Sequence, residues 1–456
     1  MSRLFTFILL KEPAMLWSTF RRPGGAPPRG PAWHASLVET IAAHRRARRQ
    51  FLGRAVAALG WSSLAAGLNT IEACAQEAAS AHASKAVVSP RAPLKITKLE
   101  TFIHRNSWVF VKISTDAGIV GWGEMLKDKA KACAAEAQEM ARYLVGQDPR
   151  PITHHWQAIY RHGFYRGGPV LTAVLSGIDM ALWDIKGKAL GLPVHELLGG
   201  PTRQRIRIYG SRQDVDAGLC SAFKVILRAD DRYAHKYVES AGFVQRITQA
   251  FAQLRQQYGA DVDIGVEFHG ASPPQTSLLI MKALETYQPF FYEEPVQAQN
   301  IDVMAQLAAK THIPLATGER VYTKWGFREI LEKHAAGILQ PDVCYAGGIT
   351  ELRLIAGMAE THYVPLAPHN PQGPCSLAAS CQIAAAIPNF LIQEQGTRTH
   401  ANLLKTPFQP KAGYLPVPTA PGLGIEIDED KFMAEVGEPR PYPRTYDADD
   451  GSVIDW

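Results

Sequence analysis

The 456-residue chain is poor in cysteine, and its six (Cys74, Cys133, Cys220, Cys344, Cys375, Cys381) include no CxxC pair. That spacing argues against a zinc centre or a disulfide framework and predicts buried thiols. Charge is also scarce: only 20% of residues are charged, and the net +5 is local. Residues 1–75 hold ten Lys or Arg against Glu12, Glu39 and Glu72, a surplus of seven, so the remainder carries about −2. No basic surface is left to argue for nucleic-acid binding. Beyond the N-terminal region no stretch approaches eighteen apolar residues, which argues against a membrane domain.

What is present is a 46% hydrophobic composition, enough to build large cores in two or three domains. The first 75 residues read as a leader. A basic cluster from Arg45 precedes an apolar run from Ala55 to Leu68 and then Ala73-Cys74-Ala75, the plan of a cleavable export signal. Arg48-Arg49-Gln50-Phe51-Leu52 resembles a twin-arginine motif, which predicts a periplasmic or otherwise exported protein, the alternative being a cytoplasmic one. Residues 1–44 stand ahead of where such signals begin, as a misplaced translation start would produce. Cleavage after Ala75 leaves five cysteines, an odd number that fits unpaired thiols carried through a pathway for folded proteins.

Residues 76–93 read as a linker, and from Leu94 the chain alternates in strand fashion. Leu94–Ile103, Val109–Ile113 and Val120–Glu124, turning at Asp116-Ala117-Gly118, predict a small antiparallel sheet. Helical periodicity follows over 130–145 and 170–198, with Gly199-Gly200 as the stop, so residues 94–204 are expected to form an α+β domain. Residues 205–401 change rhythm, with apolar runs at 206–209, 222–227, 262–266, 290–292, 313–316, 337–340, 363–367 and 390–393 separated by amphipathic stretches. Eight strands alternating with helices predict an α/β fold, a (β/α) barrel of TIM type capped by the α+β domain. Only the stretch from Tyr209 to Lys224 lacks room for a full helix. Residues 402–456, rich in Pro, Gly and Asp, are expected to pack back on the capping domain.

From the third run onward each strand ends on a polar residue: Glu267, Glu293, Glu319, Asp342, His369 and Glu394. The steps of 26, 26, 23, 27 and 25 residues are each about one strand–helix unit, which places all six at the C-terminal mouth of the barrel, where such folds carry their active sites. Three carboxylates at one level are costly unless neutralised, so Glu267, Glu293 and Glu319 predict a site for a hard divalent cation, Mg²⁺ by preference. Asp342 beside His369 would fix its tautomer and raise its basicity, making His369 a candidate base. His269, two residues beyond Glu267 on the same face of an extended chain, suits an acid. This set matches proton abstraction beside a carboxylate, and Glu394, protonated or hydrogen-bonded, could steady the charge that develops.

The strings Gly265-Val266-Glu267-Phe268-His269-Gly270, Tyr292-Glu293-Glu294-Pro295, Thr317-Gly318-Glu319-Arg320, Gln340-Pro341-Asp342, Ala346-Gly347-Gly348-Ile349-Thr350, Ala367-Pro368-His369-Asn370-Pro371 and Gln393-Glu394-Gln395 resemble those of the mandelate racemase branch of the enolase superfamily. Phe164–Pro169 and Ile178–Lys188 resemble the galactonate dehydratases in particular. The resemblance implies Mg²⁺ on Glu267, Glu293 and Glu319, a base at His369 paired with Asp342, an acid at His269 and support from Glu394. It implies dehydration of an acid sugar, a small-molecule aldonate, to a 2-keto-3-deoxy acid, by a protein of a family that commonly forms homo-oligomers. A racemase or epimerase of a 2-hydroxy acid, or an inactive acid-sugar-binding protein, would use the same residues. Two departures stand out: Glu267 replaces the family's usual Asp, and Phe223-Lys224-Val225-Ile226-Leu227 lacks the polar residue usual two after the lysine. Lys224 is either a substrate contact or a strand-edge lysine. The sugar's hydroxyls would be read by cap loops such as Asn106-Ser107-Trp108 and Leu126-Lys127-Asp128.

Overall fold

The computed structural model describes residues 88–456, apart from 227, 230–231, 234–235, 237, 396–397, 442–445, 448–449 and 455–456. The expected leader, with the Arg48-Arg49 string, lies outside the described residues. Three antiparallel strands open the described chain, β1 (Ile96–Ile103), β2 (Val109–Thr115) and β3 (Val120–Met125), ordered β1-β2-β3. The helices α1 (Ala130–Leu144), α2 (Ile152–His162), α3 (Pro169–Leu190) and α4 (Val194–Leu197) follow.

Helix α3 is the spine of this cap. Pro169 occupies its first turn, where the missing N–H costs nothing, and Gly191 ends it in the left-handed conformation at φ 69°. The expected continuation to Leu198 is therefore cut eight residues short, because Gly191 and the Pro193 beyond it form an earlier stop than Gly199-Gly200. Strand β3 lies unusually close to α3: a Cβ on Gly123 would stand 1.9 Å from the Gly177 carbonyl oxygen. Glycine at this crossing is a packing requirement, and it lets the buried apolar residues of α3 reach the sheet. Helix α2 did not figure in the sequence reading, since Thr153-His154-His155 breaks its apolar rhythm; it nevertheless buries Ile152, His155, Trp156 and Ile159.

The barrel begins with β4 (Arg205–Tyr209), the five-residue α5 (Arg212–Asp216) and β5 (Ala222–Ile226). The short helix, closed by a capping box in which Ser211 and Asp214 exchange hydrogen bonds, is what the cramped Tyr209–Lys224 interval admits. A hairpin of β6 (Arg228–Ala229) and β7 (Arg232–Tyr233) intervenes before α6 (Ala241–Tyr258). Then come β8 (Asp263–Glu267), α7 (Pro274–Leu284), β9 (Tyr292–Glu293), α8 (Ile301–Ala308), β10 (Leu315–Thr317), α9 (Thr323–Glu332), β11 (Ile338–Leu339), α10 (Gly348–Thr361), α11 (Pro374–Ala386), β12 (Gln393–Glu394), β13 (Tyr414–Pro416) and α12 (Glu429–Ala434).

Five strands run parallel in the order β11-β10-β9-β8-β5. The ring closes through single bridges: Leu339 to Leu366, Leu366 to Phe390, and Gly210 to Phe223, with β12 parallel to β4. The seventh position, expected as a strand over 363–367, is thus reduced to paired bridges at Leu366. The interior is filled by Tyr209, Ala222, Phe291, Ala316, Ile338, Ala367 and Ile392, a packed core rather than a pore.

The C-terminal segment serves both layers. β13 pairs antiparallel with β4, and Val436 bridges His104 at the end of β1. Phe432, fully buried, sits among Phe102, His104, Phe110 and Trp122 at centroid distances of 5.6, 4.3, 4.9 and 4.8 Å; burying such a ring contributes about 2–3 kcal/mol. Cys133, Cys220, Cys344, Cys375 and Cys381 are free and buried, as the spacing predicts. Among the described residues no helix is long and apolar enough to cross a membrane.

Candidate active site

Consecutive barrel strands deliver the carboxylates. Glu267 and Glu293 are the last residues of β8 and β9, paired with one another in register and almost without exposure. Glu319 follows β10 after Gly318, which has a φ of +147° and where an added Cβ would stand 2.8 Å from the Gln340 backbone, so no side chain fits. One oxygen of each of the three glutamates lies within 4.8 Å of those of the other two.

The second oxygen of two of them is already committed. The His269 N–H donates to Glu267 Oε1 at 2.8 Å, and Gln340 Nε2 donates to Glu293 Oε2 at 2.6 Å. Glu267 Oε2 is buried and meets the Lys224 ammonium at 2.8 Å. A buried, all-oxygen, triply acidic donor set of this kind fits a hard divalent cation. Burial first, then the charge of Glu267, pushes Glu293 above the ordinary carboxylate range.

On one side stands His369. Its Nδ1 meets Asp342 Oδ2 at 2.8 Å, and Asp342, fully buried, also accepts from the Cys344 N–H at 2.7 Å and Gln372 Nε2 at 3.4 Å. This leaves Nε2 facing the carboxylates, 3.3 Å from Glu319 Oε2 and 4.0 Å from Glu394 Oε2. Burial alone would lower the imidazole, but Glu319, the Asp342 hydrogen bond and Glu394 outweigh it and raise His369 to about 10. On the other side His269 presents Nε2 at 3.9 Å from Glu267 Oε2. Its burial lowers it, against the opposing charge of Glu319. The two histidines are therefore driven in opposite directions by their surroundings.

His269 reaches this place differently from the expectation. The chain leaves the extended conformation after β8, and His269 has φ 54°, followed by Gly270 at φ 63°. Arg320 donates to the His269 carbonyl and to Gln297, pinning the turn from the end of β10, two strands away. Glu394 also departs from one form considered for it. Burial would raise its carboxyl, but Lys224, His369 and the Asn370 N–H, which donates at 2.8 Å, hold it ionised at about 2. These partners favour the hydrogen-bonded, ionised form of Glu394 over the protonated one.

Lys224 is no strand-edge lysine. Its ammonium lies 2.6 Å from Glu293 Oε1, 2.8 Å from Glu267 Oε2 and 3.5 Å from Glu394 Oε1. Sequence reasoning also passed over Gln340, Arg320 and Tyr209. Tyr209 ends β4 with a buried hydroxyl that has no hydrogen-bond partner. The final apolar-to-polar step of the first strand, which the count of strand ends began too late to include, was the available signal.

The cap is sewn to this mouth by buried polar groups. Glu124 of β3 accepts from the Gly373 and Ser376 N–H groups at 2.5 and 3.0 Å, at the start of α11 and four residues after His369. Trp156 Nε1 donates to the Gly347 carbonyl at 2.9 Å, and Asp179 accepts from the Thr350 N–H at 3.0 Å. The cap loop residue Trp108 lies over Gly373, where a Cβ would come 3.0 Å from its ring.

Residues 81–199 match the mandelate racemase/muconate lactonizing enzyme N-terminal domain, and residues 211–431 match the enolase C-terminal domain-like family. A D-galactonate dehydratase from Ralstonia nicotianae is 43% identical over 388 residues, covering 80% of this chain and 100% of the relative. Its counterpart from Cronobacter sakazakii is 42% identical over 359 residues, 75% of this chain and 94% of the relative. Among solved structures, an enolase from Agrobacterium radiobacter with bound Na and L-malate superposes with a TM-score of 0.74 at 31% identity, over 79% of this chain and 100% of its own. A member of the enolase superfamily from Salmonella Typhimurium does so at 0.71 and 31%, over 75% and 98%. With a capping domain on a barrel of the enolase type and both halves matched, the chain belongs to the mandelate racemase/muconate lactonizing enzyme family of the enolase superfamily.

Proposed function

We propose that this protein is a Mg²⁺-dependent hydro-lyase that converts an aldonate of the galactonate kind into a 2-keto-3-deoxy acid. The observation that carries the reading is the convergence of three carboxylates, Glu267, Glu293 and Glu319, with the His269 imidazole 3.9 Å from Glu267 and the His369 imidazole 3.3 Å from Glu319. The relatives named D-galactonate dehydratase support the substrate class.

When bound by Glu267, Glu293 and Glu319, Mg²⁺ would supply a positive counter-charge for the substrate carboxylate and withdraw the Glu319 charge that lifts His369. His369 Nε2, its ring fixed by Asp342, takes the proton from C2. The electron pair left behind forms an enediolate. His269, which enters the step protonated although its burial disfavours the charge, gives that proton from Nε2 to the C3 hydroxyl, which departs as water while the C–O bond breaks, and the resulting enol tautomerises to the ketone. Glu394, held ionised by Lys224 and the Asn370 N–H, keeps Lys224 and His369 in register. The cap, pinned at Glu124, Trp156 and Asp179, closes the mouth above the reacting carbons and excludes water.

The test is a panel of aldonates and aldarates with Mg²⁺, scored for 2-keto acid beside a His369→Asn control. Turnover on one or a few sugars, lost in the control, establishes the dehydratase. Interconversion of epimers without 2-keto acid would replace it with a racemase. We further propose that residues 1–75 are a twin-arginine export signal; Arg48→Lys with Arg49→Lys should then retain the protein in the cytoplasm on fractionation, and unchanged distribution would refute it.

A further inference from the structure

We propose that Lys224 is a built-in competitor for the divalent cation, occupying the same carboxylate oxygens and leaving them when the ion enters. The inference rests on reading Glu267, Glu293 and Glu319 as cation ligands and concerns what else those ligands hold.

The oxygens are the first ground. Each of the two most buried glutamates has one oxygen committed, Glu267 Oε1 to the His269 N–H and Glu293 Oε2 to Gln340. The oxygens left for an ion are Glu267 Oε2 and Glu293 Oε1. These are the two that Lys224 contacts, at 2.8 and 2.6 Å. An ion that takes one oxygen from each glutamate takes them from the ammonium.

Size is the second. Mg²⁺ holds oxygens at about 2.0–2.1 Å, so each carboxylate must close in by roughly 0.6 Å from its distance to the lysine. Oxygens spread over 4.8 Å suit the larger ammonium and must contract around the smaller ion. An ammonium left between them would then meet a doubly charged ion at a few ångströms, a strong repulsion even at an effective dielectric of about 20.

Placement supplies the third. Lys224 lies in the middle of β5, paired alongside Gly265 of β8, so its backbone is fixed and only the side chain swings. Glu394 Oε1, 3.5 Å away, is an anion outside the ligand set toward which the displaced ammonium can turn. The lysine therefore neutralises part of a buried acidic cluster that would otherwise cost free energy, and it does so at the expense of affinity for the ion.

The test is calorimetric titration of the metal-stripped full chain with MgCl₂, for wild type, Lys224→Met and Lys224→Gln, with thermal unfolding in EDTA alongside. Both variants are expected to bind one Mg²⁺ about tenfold or more tightly than wild type. Both should melt lower in EDTA and regain the lost stability on adding Mg²⁺. Lys224→Gln keeps hydrogen-bond donors for the carboxylates and so guards against a methionine variant that does not fold. Wild-type binding of one ion with equal or weaker binding by a folded variant would overturn the competition while leaving the glutamates as ligands. Absence of Mg²⁺ binding by wild type and folded variants alike would overturn both readings.

Discussion

The imidazole of His104 is held where it cannot accept a proton, and this gives the fold a calculable sensitivity to acid. It is 1% exposed, with Phe110 and Phe432 rings at 4.8 and 4.3 Å, and its Nε2 has no hydrogen-bond partner. Burial first, and Arg105 second, lower it from 6.5 to about 4. Above pH 6.5 the folded and unfolded chains are both neutral at this residue, and it contributes no pH dependence. As pH falls below 6.5 the unfolded chain takes up a proton that the folded chain refuses until about pH 4, so stability is lost across that window. Between pH 7 and pH 5 the loss is about 2 kcal/mol, and it approaches about 3 kcal/mol by pH 4, set against the roughly 5–15 kcal/mol that holds a typical fold. Glu124 acts in the opposite direction: burial raises it to about 8, so its contribution falls as pH rises from 4.5 to 8. The net wild-type slope therefore mixes the two, and the informative quantity is the difference between wild type and His104→Phe. Urea unfolding at pH 7, 6 and 5 should show the two stability curves converging by about 2 kcal/mol towards acid. Curves that stay parallel would refute the claim that His104 is buried without a proton acceptor.

Asp342→Asn removes the charge that orients and lifts His369 while preserving shape; kcat for the aldonate is expected to fall about ten- to a hundredfold with KM little changed. A kcat within twofold of wild type in steady-state kinetics would show that His369 does not depend on this partner. Gly123→Ala forces a Cβ to 1.9 Å from the Gly177 carbonyl and should cost about 3 kcal/mol or more, read as a lowered urea midpoint; an unchanged midpoint would mean that the β3–α3 crossing yields more easily than its spacing indicates.

Much of this architecture is written locally. An apolar run ending on one polar residue recurs every 23–27 residues from Glu267 to Glu394, because each strand–helix unit has the same job and length, and the barrel mouth is legible from that beat alone. Elements without a beat were harder. Helix α2 is masked by its histidines, and the end of α3 turned on a choice between two glycine stops that only the packing of Pro193 and Val194 beside Gly422 resolves. The seventh strand dwindles to bridges because Leu366 is held by neighbours on both sides. At the site, residue types were readable but reach was not. That Lys224 extends across the strand to two glutamates depends on side-chain geometry two strands wide, and the left-handed turn at His269 is imposed by Arg320 from another strand end. The ionised state of Glu394 arises from Lys224 on β5 and from His369 and Asn370 on a distant loop, which no local string displays.

The bridge between His104 and Val436, with Phe432 inserted among the aromatic rings of the first sheet, has a consequence for biosynthesis. The first strands to leave the ribosome wait for a layer encoded some three hundred residues later. At about 5–20 residues per second, that interval lasts tens of seconds. Throughout it Phe102, Phe110 and Trp122 lack the cover that Phe432 will provide, and β4 lacks its partner β13. A chain that terminates before residue 429 therefore leaves the aromatic face of its cap bare.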